Sequence, residues 1–117
     1  MKKIVLILAI CLTVNLVYGN NNIKYLNKSI FLYHRQRRIV PSRIYFYLSK
    51  YFNKCRLFNK SIQSLKIIYN GNYKNKYRID ALRRIVHIYN KKRDCYNFKK
   101  LALRYIKANN NFFENGY

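Results

Sequence analysis

A chain of 117 residues carries 25 Lys and Arg against 3 Asp and Glu, a formal charge of +22. Three scattered carboxylates cannot furnish a paired-carboxylate active site, and three glycines cannot furnish a glycine-rich phosphate loop. The length suits one small domain and not two. Half of the residues are hydrophobic, with thirteen Tyr and seven Phe, so apolar area is available to drive folding despite the charge.

Met1, Lys2 and Lys3 precede an apolar run from Ile4 to Leu12, which fades through Thr13 and Asn15 to Tyr18 and Gly19. A charged start, a short apolar middle and a small final residue predict a secretory signal peptide over residues 1–19. Val17 and Gly19 fit the positions three and one before the cut. The run is shorter than the roughly 20 apolar residues of a membrane-spanning helix, and Asn15 would be costly in lipid. The alternative is an uncleaved segment that anchors the chain to a membrane. Taking 19 from 117 leaves 98 residues, and losing Lys2 and Lys3 takes the formal charge from +22 to +20. The expected location is extracellular.

Residues 20–41 read as a basic, irregular lead that Pro41 closes, with Ser42 a natural N-cap. Residues 42–108 predict an all-α domain of about four helices, a small bundle or short solenoid of two helix–turn–helix hairpins. The first helix stacks Ile44, Tyr47, Leu48, Tyr51 and Cys55 at spacings of three and four. The second stacks Ile62, Leu65, Ile68 and Tyr69 and ends at Asn70-Gly71-Asn72, where Gly71 suits a left-handed terminator. The third carries Leu82, Ile85, Val86 and Tyr89. The fourth carries Phe98, Leu101, Ala102, Tyr105 and Ala108, with Asp94 placed to cap its start. Residues 109–117 are an Asn-rich tail expected to fray.

A shift of 38 places Tyr51 on Tyr89, Lys54 on Lys92, Asn59 on Asn97, Leu65 on Leu103 and Ile68 on Ile106. This suggests two copies of a unit of the kind that stacks into helical solenoids. The stretch from Ile85 to Ala108 resembles a tetratricopeptide-type hairpin, with a Tyr before the turn and Leu, Ala and Tyr after it. It lacks the Gly-Tyr turn and the Trp-Leu-Gly start of that family, so the resemblance implies a topology and no function.

Cys55 and Cys95 are the cysteines left after cleavage, and an even pair in a secreted chain predicts a disulfide. Such a bridge would be worth roughly 3–4 kcal/mol by chain entropy. His34 lies in a charge run and His87 among arginines, and nothing in their spacing specifies an acid–base pair. No catalytic residue, metal-ligand cluster or cofactor site is expected; a secreted nuclease using the histidines is the remaining enzymatic alternative. Asn27 and Asn59 open N-glycosylation triplets.

The basic residues are the chain's main asset. Arg35, Arg37 and Arg38 form one cluster, Arg83 and Arg84 a second, and Lys91, Lys92 and Arg93 a third, with Lys99 and Lys100 beside it. An AT-rich coding sequence would explain the lysines, but it would also supply the missing acids. Arg binds phosphate or sulfate in bidentate fashion, and Lys adds point charge. The expected function is non-catalytic binding of an extracellular polyanion: a sulfated glycan, an anionic membrane surface or nucleic acid. The alternative is a secreted effector whose helical hairpins bind a partner protein. The expected partners are polyanions or acidic protein surfaces, with peripheral membrane contact; no small-molecule substrate is evident.

Overall fold

The computed structural model describes residues 21–114, and these are helical with no strand. The expected signal peptide lies outside the described residues, as do residues 115–117. α1 covers residues 21–35. α2 is Ser42–Lys54, α3 Phe58–Asn70, α4 Asn75–Lys91 and α5 Cys95–Glu114. The chain divides into two compact units within α3, between Ser61 and Ile62.

In the first unit, α1 replaces the expected irregular lead. Ile23, Leu26, Ile30 and Tyr33 recur at spacings of three and four and are half-buried, while Lys24, Lys28 and Arg35 are exposed. Lys and Arg are good helix formers, so their density does not oppose the helix. α2 begins at Ser42, but the capping position belongs to Pro41, and no side chain caps the helix. The Pro41 carbonyl instead accepts the Ile44 N–H at 3.1 Å. The core face of α2 is rotated from the expected one. Ile44, Tyr45, Leu48, Ser49 and Phe52 are buried, whereas Tyr47 is 52% exposed. A tyrosine tolerates either side of a helix, and here burial of Tyr45 and Phe52 wins; that burial pushes the Tyr45 phenol above its ordinary pKa. Buried Ser49 and Ser61 hydrogen-bond to each other, with Oγ atoms 2.7 Å apart.

In the second unit, α3 contributes Ile62, Leu65 and Ile68, and α4 contributes Ala81, Leu82, Ile85, Ile88 and Tyr89, all buried. α5 packs against α4 and places Phe98, Leu101, Ala102, Tyr105 and Ala108, the expected face, in half-buried positions. It continues past the expected end at Ala108 through Glu114. Extending a formed helix adds a bond for each residue ordered, so the Asn-rich stretch need not nucleate anything.

Three helices end in one way. Arg37, Arg56 and Arg93 all adopt left-handed backbone, with φ of 55°, 59° and 57°. Beside each, the following N–H reaches back to the last-turn carbonyl: Arg38 to Tyr33, Leu57 to Phe52 and Asp94 to Tyr89, at 2.8–3.0 Å. The arginine N–H groups bond His34, Asn53 and Asn90 at 3.0 Å. These are the paired bonds of the Schellman motif, with Arg where Gly is usual. Gly71, by contrast, is not left-handed. A Cβ there would lie 2.5 Å from the Ile67 carbonyl oxygen and 2.9 Å from the Tyr73 ring, so close approach requires the glycine. The end of α3 is satisfied from elsewhere, by the Arg78 guanidinium donating to the Tyr69 carbonyl at 2.9 Å.

The matching turns shift the internal alignment. Arg56 pairs with Arg93, Asn53 with Asn90, and the helix starts Phe58 with Cys95, a spacing of 37 and not 38. At 37, the buried Leu65 and Ile68 match the half-buried Ala102 and Tyr105. At 38 they would match Leu103 and Ile106, which are 69% and 55% exposed. Burial therefore selects the shorter period.

Candidate anion-binding cleft

The α4–α5 turn is Lys92-Arg93-Asp94, and Asp94 serves both helices. Its N–H closes α4, while its carboxylate caps α5. The Asn97 N–H donates to Asp94 Oδ1 at 3.2 Å and the Asn97 amide to Oδ2 at 2.8 Å. The Asn97 side chain, then its N–H and the Lys92 charge, hold Asp94 below the ordinary carboxylate range. This turn sets the direction in which α5 leaves α4, and so the position of Asn97 and the residues one and two turns beyond it.

Those residues line a cleft of about 220 Å³ within the second unit. Leu82, Ile85 and Leu101 form its apolar base. Lys66 of α3 and Lys100 and Arg104 of α5 supply three cations, and Tyr69 and Tyr89 supply phenols. No carboxylate lines it. Lys100 and Arg104 stand four apart, which puts them on one face of α5. A second cleft of about 210 Å³ holds Lys76, Asp80 and Arg83. There Arg83 lies 2.7 Å from the Asp80 carboxylate, so its charge is already paired.

The expected site residues are distributed unevenly around this geometry. Lys100 lines the first cleft. Lys99 is exposed on α5, and Lys91 and Arg93 are exposed at the end of α4. Lys92 lies 5.8 Å from the centre of the Tyr89 ring. Arg83 and Arg84 both face Asp80, with Arg84 at 3.2 Å, so this cluster is partly neutralised. Arg35, Arg37 and Arg38 are exposed in the first unit. His34 and His87 are exposed and belong to different units. Among the described residues, no three His, Cys, Asp or Glu side chains gather into a metal-sized cluster.

Sequence reasoning missed Lys66 and Arg104 as site residues. Neither belongs to a run of charge, so the sequence carried no local signal for them. With few acids to pair with, other lysines lie over rings: Lys54 over Tyr51 at 5.5 Å and Lys60 over Phe52 at 5.9 Å.

The structure holds Cys55 and Cys95 as free thiols. Cys55 is buried behind the last turn of α2, and Cys95 is exposed at the first position of α5. Asn27 is exposed on α1. Asn59 is exposed too, but it lies in the first turn of α3 and not in the preceding turn, and Ser61 of its triplet is fully buried.

No protein-family model, curated protein or solved structure matches this chain.

Proposed function

We propose that this is a secreted, basic, non-catalytic protein that binds an extracellular polyanion through the Lys66–Lys100–Arg104 cleft. In this reading residues 1–19 are removed as a signal peptide, and α2–α3 and α4–α5 repeat one helix–turn–helix unit. The observation that carries it is the composition of the cleft wall: three cations, two phenols and no carboxylate. Arg104 can take two oxygens of one sulfate or phosphate, and the lysines add charge on either side. The apolar base lowers the local dielectric and strengthens those contacts. Size decides between a polymer and a small molecule. Pockets for drug-sized ligands run from about 300 Å³ upward, and about 220 Å³ holds one anionic group of a chain that continues outside.

The test is retention on immobilised heparin as a function of salt, with Lys66→Gln/Lys100→Gln/Arg104→Gln compared with Arg35→Gln/Arg37→Gln/Arg38→Gln. Both variants lose the same charge. The cleft variant is expected to elute at clearly lower salt, with its log–log salt slope reduced by up to about 3. Equal weakening of the two would mean that bulk charge, and not the cleft, binds. Absence of binding by the unmodified protein to heparin and to an anionic surface alike would remove polyanion binding altogether.

A further inference from the structure

We propose that the polyanion is an anionic lipid surface, on which α5 lies with an apolar ridge inserted and the cleft holding a headgroup phosphate. The proposal rests on the polyanion reading of the cleft and names its source. α5 has more apolar side chains than its packing uses. Its inner face is the half-buried row from Phe98 to Ala108. Its outer face carries Tyr96, Leu103 and Ile106, which are 74%, 69% and 55% exposed. Their spacings of seven and three put them along one side of the helix. Lys99 and Lys107 are exposed on the same side, and Lys100 and Arg104 form the edge it shares with the cleft. No acidic residue occurs between Cys95 and Asn110.

The juxtaposition of cations and apolar side chains selects among polyanions. A sulfated glycan supplies anions but nothing to cover three apolar side chains. A bilayer interface supplies phosphate and hydrocarbon side by side. Lys and Arg stems can lie along the apolar ridge while their charged ends reach phosphate. Tyr96 suits the boundary itself, with an apolar ring and a polar hydroxyl. Among the described residues no helix is long and apolar enough to cross a membrane, so the contact is one of lying on the surface.

The experiment is co-sedimentation of the purified protein with vesicles of phosphatidylcholine, alone or mixed with phosphatidylserine, run beside the heparin assay. Binding is expected to mixed vesicles and not to phosphatidylcholine alone. Leu103→Ser/Ile106→Ser changes two exposed positions and is expected to lower vesicle binding at least about tenfold while leaving heparin elution unchanged. Lys66→Gln/Lys100→Gln/Arg104→Gln is expected to weaken both. Vesicle binding indifferent to Leu103→Ser/Ile106→Ser overturns the proposal and leaves the ridge to another occupant, such as an acidic protein groove. Heparin retention without vesicle binding overturns the membrane proposal alone. Loss of both assays in the unmodified protein overturns the polyanion reading as well.

Discussion

The Ser61 hydroxyl donates to the Ser49 carbonyl at 2.8 Å, while the two hydroxyl oxygens lie 2.7 Å apart. Because the Ser61 proton is committed to the carbonyl, Ser49 is the donor between the hydroxyls. Both residues are almost fully buried, so the Ser49 hydroxyl depends on Ser61 for its pairing, while Ser61 keeps the Ser49 carbonyl. Ser61→Ala removes the acceptor of a buried donor and is expected to cost about 1–3 kcal/mol of unfolding free energy. Ser49→Ala/Ser61→Ala is expected to cost less than the sum of the single changes, because it leaves no hydroxyl stranded. Urea unfolding of the three variants measures the coupling; strict additivity would mean that the pair contributes nothing as a pair.

The left-handed arginines predict an order of stability. An L-residue in that region costs about 1–2 kcal/mol, which glycine avoids, although glycine gives back about 0.4–1 kcal/mol through its freer unfolded chain. Thermal melts at Arg56 and at Arg93 are expected to rank Gly above Asn, Asn above Arg, and Arg above Val. Val should fall furthest, since a β-branched residue is least able to adopt this conformation. A Val variant as stable as the parent would mean that the turn has another backbone available.

Asp94 predicts an acid-sensitive junction. Its folded pKa is depressed, so its contribution to stability is present above the ordinary carboxylate pKa and is lost as pH falls through the folded value. Protection of the amides at the start of α5, measured as the exchange rate relative to the intrinsic rate at the same pH, is expected to fall on acidification below about pH 4. Asp94→Asn keeps a capping oxygen without a titrating group, and should flatten that dependence. An unchanged pH profile in the Asn variant would assign the transition to other carboxylates.

Thiol labelling separates the cysteines. Cys95 is exposed and is expected to react with a maleimide at the rate of a free surface thiol, whereas buried Cys55 should react only when the first unit opens. Denaturant should then expose a second equivalent. If neither cysteine reacts before reduction, the protein carries the Cys55–Cys95 bridge.

Much of the helical pattern was legible because burial leaves a period in the sequence. The stripe Ile62–Leu65–Ile68 and the row from Phe98 to Ala108 both occur where spacing put them. The cap at Asp94 was equally legible, since a carboxylate before a helix has one obvious use. α1 was obscured by its charges, although Ile23, Leu26, Ile30 and Tyr33 carry the same period. The helix terminators were hidden for a different reason. Arginine gives no local signal for left-handed backbone, and the glycine that gives one is held by close approach at Gly71.

The sequence by itself determined the surplus of charge, the helical class and most of the buried stripes, because these follow from composition and from spacings of three and four. Tertiary structure alone decided which cations meet. Lys66 and Arg104 are far apart in the chain and belong to no cluster, while Arg83 and Arg84 look like a cluster and face Asp80. It also decided that the matching turns at Arg56 and Arg93 stand 37 residues apart, since backbone conformation and burial, not residue identity, align them. A run of like charge along the chain is spread around a helix at about 100° per residue, so adjacency in sequence disperses cations, and packing between helices gathers them.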